Sequence, residues 1–416
     1  MQSLNPWLTI PEKSDFTIYN LPFGIYSTSD EGPRAGIAIG DKVLDLAFVA
    51  NLGIFAGLDF NHSVFGKKYL NDFIALGKSI TNEVRLRVQR ELCDENSILK
   101  EVNGLFLNKD DVSMHMPVKV GDYTDFYSSL EHATNVGKMF RDPENALLPN
   151  WRYMPVAYHG RASSIIVSGV DINRPKGQIK EEDKPPELAP TQKLDFELEV
   201  AFITGKKTEL GESVSTSNAE EYIFGLVLFN DWSARDIQKW EYRPLGPFLG
   251  KNFASSVSPW IIPLEALEPF RVSGPDQEPK PLEYLQYSGS KSFDIHLEAK
   301  IQPEKSKNPV TVTKTNFKNL YWNMAQQLAH HTVSGCNINV GDMMASGTIS
   351  GSGPDTYGSM LELSWGGSKE IDLGGGEKRT FLKDNDTVIM SGFAEKKGVR
   401  VGFGEVKSKV LPAKNE

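Results

Sequence analysis

The chain has 416 residues, 39% of them apolar and 24% charged, with a formal net charge of −9. That length buries a large core without disulfide staples, and the composition is that of a folded protein. The acidic balance argues against a nucleic-acid partner and means that an anionic substrate must be caught by a local positive site.

Other absences narrow the class. No run of about 18 apolar residues spans a membrane. The opening Met1-Gln-Ser-Leu-Asn-Pro6 has neither the basic nor the apolar region of a secretory leader. Cys93 and Cys336 are the two cysteines, too few and too far apart for a disulfide framework or a CxxC zinc site. The expected compartment is the cytoplasm. The 36 Gly and 24 Pro favour many turns and short strands.

In chain order, Gly36 to Leu46 alternates apolar and polar residues around Gly40-Asp41 and reads as a hairpin. Ile80, Val84, Val88 and Leu92 recur every four residues and predict a helix. The polar run at Lys109-Asp110-Asp111 marks a boundary. From about residue 118 short β-like runs follow one another: 164–168, 194–202, 222–229, 387–390 and 399–406. Residues 183–190 carry three prolines and are expected to be a loop. Residues 319–331 are expected to be a helix.

The most informative strand is Asp195-Phe-Glu-Leu-Glu-Val-Ala-Phe202. Alternation puts Phe196, Leu198, Val200 and Phe202 on a core face and Asp195, Glu197 and Glu199 on the other. The bland reading is a solvated acidic face. Asp231, after the unbroken apolar run 222–229, either caps a following helix or joins Glu197 and Glu199 around a hard cation. Asp125, in an aromatic-rich loop, is a third acidic contributor. His132 taken alone reads as an ordinary polar-loop histidine. Glu362 lies in an apolar-alternating stretch, Met360 to Trp365, where an inward carboxylate needs a partner. No GxxxxGK[ST] is present, which excludes a phosphate loop.

Several segments together resemble the fumarylacetoacetate hydrolase family: Gly121-Asp-Tyr-Thr-Asp-Phe-Tyr-Ser-Ser129, His132-Ala-Thr-Asn135, Glu144 to Trp151, Tyr158-His-Gly-Arg-Ala-Ser-Ser164, Asn230-Asp-Trp-Ser-Ala-Arg-Asp236, Pro244 to Lys251 and Ser346-Gly-Thr-Ile-Ser-Gly351. The resemblance runs from about residue 15 to the C-terminus. It implies a mainly β (α+β) fold. Residues 1–117 form a small SH3-like barrel with a helical segment, and residues 118–416 form a large mixed β-sandwich roll that carries the site. It also implies a homodimer and the hydrolysis of 4-fumarylacetoacetate to fumarate and acetoacetate, the last step of tyrosine and phenylalanine breakdown.

By position in these motifs, Asp125, Glu197, Glu199 and Asp231 correspond to calcium ligands. His132 corresponds to the general base, with Glu362 behind it. Tyr127, Arg141, Gln238, Tyr242, Thr348 and Tyr158 correspond to substrate contacts, and Lys251 and Gln238 to donors for an oxyanion. Asp231, Lys251 and Ser255 occupy positions associated with magnesium. The chain has Ala254-Ser255 where the family has Gly-Thr, which keeps the hydroxyl. Asp195 is read as a neighbour. Two other readings stand beside this one. The first is a metal-dependent β-keto acid decarboxylase or tautomerase. The second is a cation-stiffened binding module without activity.

Overall fold

The computed structural model describes residues 4–414, and β-structure dominates it. Thirteen strands form one twisted sheet. The N-terminal strands are β1 (Phe23–Ser27), β2 (Arg34–Ile39), β3 (Lys42–Asp45), β4 (Phe106–Asn108) and β5 (Ser113–His115). The rest are β6 (Tyr123–Phe126), β7 (Ala157–His159), β8 (Ile165–Val167), β9 (Leu198–Thr204), β10 (Ile223–Asp231), β11 (Ser255–Val257), β12 (Trp260–Pro263) and β13 (Met343–Ala345). The order is β4-β3-β2-β1-β12-β10-β9-β13-β6-β7, with β5 on β1 and with β11 joining β10 to β8.

The predicted hairpin is β2–β3, paired Ile39 to Lys42 around Gly40-Asp41. Two N-terminal expectations are corrected. The run Lys109-Asp110-Asp111 is no boundary: it is a turn tied to the hairpin by Lys109 N–H donating to the Asp41 carbonyl, and β5 after it returns to pair with β1. The implied small barrel is not closed. Among the described residues β4 and β5 end the order β4-β3-β2-β1-β5 with no ladder between them, and β1 continues into the main sheet through Phe23 opposite Ile261.

A second sheet stacks on the first. Its order is Val310–Asn316, His296–Gln302, Thr387–Lys396, Val399–Leu411 and Ile172–Asn173. Between the sheets lie Leu198, Val200 and Phe202, packed with Leu226, Leu228, Leu297, Ile301 and Phe403. On the opposite face Ala201, Ile203, Val227 and Phe229 pack with Val84, Val88 and Leu92 of helix α1 (Lys78–Cys93). The period-2 alternation of β9 therefore feeds two cores at once. Truncating one of these fully buried rings, Phe229, is expected to cost about 3–5 kcal/mol.

Two further elements differ from their sequence expectation. Glu187–Pro190 is a strand, paired with Lys176–Ile179 in an isolated two-stranded ribbon. Both strands of such a ribbon are edges, where the missing N–H of Pro190 is tolerated. The helix expected over 319–331 is α4 (Met324–Thr332). Asn323 starts it: its side chain accepts from Gln326 N–H while Gln326 Oε1 accepts from Asn323 N–H, a capping box that leaves Tyr321 outside. No helix among the described residues is long and apolar enough to cross a membrane.

Candidate active site

Four carboxylates from separate strands converge at one end of the main sheet. Asp125 is on β6, Glu199 on β9 and Asp231 at the end of β10, while Glu197 precedes β9. Each offers an oxygen within 4.8 Å of the others, and all four are buried. The solvated-face reading is thus overturned, and so is a capping role for Asp231. The helix after it, α3 (Arg235–Glu241), begins at Ala234 with no side-chain cap. The strand read over 195–202 is interrupted at Phe196-Glu197, and Glu197 still shares the cluster with Glu199 as alternation expects.

The cluster is short of donors. Lys251 Nζ donates to Glu197 Oε2 at 2.5 Å and to Asp231 Oδ2 at 2.7 Å. Ser255 Oγ donates to Asp231 Oδ1 at 2.9 Å, and Tyr158 OH bridges Asp125 and Asp231 at 3.0 and 2.9 Å. Gly347 N–H reaches Glu199 Oε2 at 3.0 Å. Gly347 has φ +76°, and a Cβ there would lie 2.1 Å from the Phe126 carbonyl oxygen, so this approach needs glycine. Asp125 Oδ1 and Glu199 Oε1 remain buried with no hydrogen-bond partner.

The electrostatics follow from those contacts. Burial, reinforced by the neighbouring carboxylates, pushes Asp125 and Glu199 well above the ordinary carboxylate range. Burial acts the same way on Glu197, but Lys251, Arg235 and His132 outweigh it and hold Glu197 low. Four clustered oxygen donors with two orphaned atoms fit a hard divalent cation, which takes carboxylate ligands and cancels their repulsion.

A second assembly involves His132. It lies in helix α2 (Leu130–Phe140), whose N-cap Ser129 accepts from His132 N–H at 3.2 Å and fixes the first turn. Its Nδ1 is 2.6 Å from Glu362 Oε2, and both groups are buried. The residues are 230 positions apart in sequence. Glu362 sits in the short helix α5 (Met360–Leu363), not on an alternating strand. A hydrogen bond between a low-lying carboxylate and Nδ1 fixes the tautomer with Nδ1–H and leaves Nε2 as the basic nitrogen. The Tyr127 ring stands 5.2 Å from the imidazole ring.

The remaining sequence candidates spread outward. Thr348 is buried, and its hydroxyl has no partner. Gln238, on α3, accepts from Arg235 Nη1 at 3.3 Å. Arg141 is exposed at the end of α2 and donates to the Ala146 carbonyl at 2.8 Å. Tyr242 is exposed at the end of α3.

Sequence reasoning missed Arg235, which is buried and ion-paired at 2.8 Å with both Asp195 and Glu197. Asp195 is indeed a neighbour: its oxygens accept the N–H groups of Met360 and Leu361 and so seat α5.

Residues 122–411 match the family described as "Fumarylacetoacetate (FAA) hydrolase C-terminal", and residues 19–117 match "Fumarylacetoacetase N-terminal". The chain is 51% identical to human fumarylacetoacetase over 413 residues, covering 98% of this chain and 99% of that protein. It is 51% identical to the Caenorhabditis elegans fumarylacetoacetase, covering 99% of this chain and all of that one, and 47% identical to that of Arabidopsis thaliana, again over 99% and 100%. A solved fumarylacetoacetate hydrolase from Exiguobacterium antarcticum shares the fold at TM-score 0.54 and 17% identity, covering 94% of this chain and 99% of that one. The fold, the paired acidic and histidine centres and this near-full-length identity agree: the chain belongs to the fumarylacetoacetate hydrolase family.

Proposed function

We propose that this enzyme hydrolyses the carbon–carbon bond of 4-fumarylacetoacetate, giving fumarate and acetoacetate in tyrosine and phenylalanine breakdown. The observation that carries the reading is the half-identity to fumarylacetoacetases along nearly the whole of both chains. The site chemistry supports it.

Cleaving a β-diketone with water needs a nucleophile at neutral pH and a way to release a carbanion. His132 Nε2 takes a proton from water while Nδ1 stays hydrogen-bonded to Glu362, which carries the charge that develops on the imidazole. The hydroxide adds to the ketone carbonyl that becomes the new carboxylate of fumarate. Lys251 has used two of its three hydrogens on Glu197 and Asp231, and the third, with the Gln238 amide, donates to the oxyanion. The C–C bond then breaks, and the proton held by His132 passes to acetoacetate. Asp125, Glu197, Glu199 and Asp231 would hold a divalent cation, which when bound supplies positive charge for the departing enolate. Arg235 holds Glu197 in place for that role. Tyr127, Tyr158 and Thr348 line the inner site. Arg141 and Tyr242 at the rim orient the substrate's carboxylates.

Calcium is the ion assigned to the four carboxylates, and magnesium to the Asp231–Lys251–Ser255 corner. The division into residues 1–117 and a catalytic 118–416, the homodimer and the cytoplasmic setting belong to the same reading. Its test is steady-state loss of the diketone absorbance of fumarylacetoacetate by wild type and His132→Ala, with and without chelator. Rapid loss by wild type, abolished by both perturbations, is expected. No turnover by folded, metal-loaded protein would overturn the reading and direct the assay to β-keto acid decarboxylation.

A further inference from the structure

Glu362 receives more than its histidine. Asn135 Nδ2 donates to Oε1 at 3.0 Å, and the Ser350 and Ser359 hydroxyls each donate to Oε2 at 2.9 Å. With His132, four side chains from three segments close on one buried carboxylate, and all are buried. Asn135 lies three residues after His132, so one face of α2 delivers both the base and a donor to the base's partner.

Ser350 does more than donate. Its Oγ accepts from Gly358 N–H at 2.9 Å, and its backbone exchanges bonds with Ser129, the residue that caps α2. It therefore ties together the helix that carries the base, the approach to the helix that carries the carboxylate, and the loop that carries Thr348.

We infer that Asn135, Ser350 and Ser359 are positioning residues that keep Glu362 a carboxylate and so set the pH at which His132 is available as a base. The inference rests on the proposed role of His132 in hydrolysis. Three neutral donors stabilise the anion without adding charge. Removing one makes protonation of the His132–Glu362 pair easier, whichever member takes the proton, so the apparent pKa of the pair rises. The other ionisable groups near the pair are Glu131 on α2, Tyr127 beside the imidazole, Asp195 beneath the Glu362 helix with its partner Arg235, Glu197 across the site and Arg141 beyond Tyr127. None of them donates a hydrogen bond to Glu362 in its place.

The test compares wild type with Asn135→Ala, Ser350→Ala and Ser350→Thr. kcat/KM for fumarylacetoacetate is read against pH, and the His132 imidazole is titrated by NMR. The acid limb of the profile and the imidazole midpoint should both move up by about one pH unit in each Ala variant. Both should return toward wild type in Ser350→Thr, which keeps the hydroxyl. Variants that fold and lose rate at every pH alike, with an unmoved midpoint, would overturn the inference. Asn135→Ala carries the test if Ser350→Ala fails to fold. The NMR midpoint reads the pair even if fumarylacetoacetate is not the substrate, so failure of the function and failure of the clamp are separable.

Discussion

Glu362 and the four-carboxylate cluster are both buried and acidic, but they meet the cost of burial in opposite ways. Glu362 has a histidine and three neutral donors, and with them its pKa is lowered despite burial. The cluster has Lys251, Arg235, two hydroxyls and one backbone N–H for four carboxylates, and two of its oxygens stay orphaned. A carboxylate completed by protein donors is an orienting group. Carboxylates left incomplete call for a cation that the chain itself does not provide.

That contrast can be broken from either side. The largest expected effect is on the completed side: His132→Ala and Glu362→Gln should each lower kcat by about 10²–10⁴-fold with little change in metal affinity, measured by steady-state kinetics and metal titration. An unchanged rate in either variant would mean that the pair is structural. Lys251 belongs to both sides, because it neutralises the cluster and, in the proposed mechanism, would donate to the reacting carbonyl. Lys251→Met should lower kcat by about 10²–10³-fold. It should also destabilise the metal-free protein by about 3–5 kcal/mol, as Glu197 and Asp231 lose their buried counter-charge.

Next in size is the response to chelation. Asp125 and Glu199 have folded-state values above their unfolded ones. In the metal-free protein their contribution is therefore present below about pH 4 and lost as pH rises through the folded values. Glu362 has the opposite sign: its lowered value contributes stability above about pH 4.5 that is lost on acidification. The melting temperature of chelated protein should fall between pH 5 and 8 relative to calcium-loaded protein. A constant gap across that range would show that the cluster is not the metal's site.

Glu199→Gln makes a smaller and more pointed test. It should stabilise the metal-free protein by about 1 kcal/mol, because a neutral amide avoids the cost of neutralising a buried carboxylate, while removing the stabilisation that metal confers. Ser255→Ala should cost about 1 kcal/mol, the value of one ordinary hydrogen bond, and should chiefly test whether the Asp231 corner takes magnesium.

The parts of this molecule legible in sequence are those set by local periodicity and chain order. The hairpin around Gly40-Asp41, helix α1 and the apolar run of β10 depend on side chains a few residues apart, where backbone geometry fixes which ones share a face. Alternation also put Glu197 and Glu199 on one side of their strand. It could not say that this side is buried, because burial depends on Lys251, Tyr158, Arg235 and Gly347 closing on the cluster from other parts of the chain. The same limit hid Arg235, whose value lies in Asp195 and Glu197 some forty residues earlier. It also showed Glu362 only as an inward carboxylate in an apolar-alternating stretch, where Asp195 seats it on a helix turn.

By itself, then, the sequence determined the donor inventory and the period of each element, because these are properties of neighbouring residues. The tertiary structure alone decided which carboxylates are completed and which are left short. A hydrogen-bond partner 230 residues away is chosen by sheet order and packing.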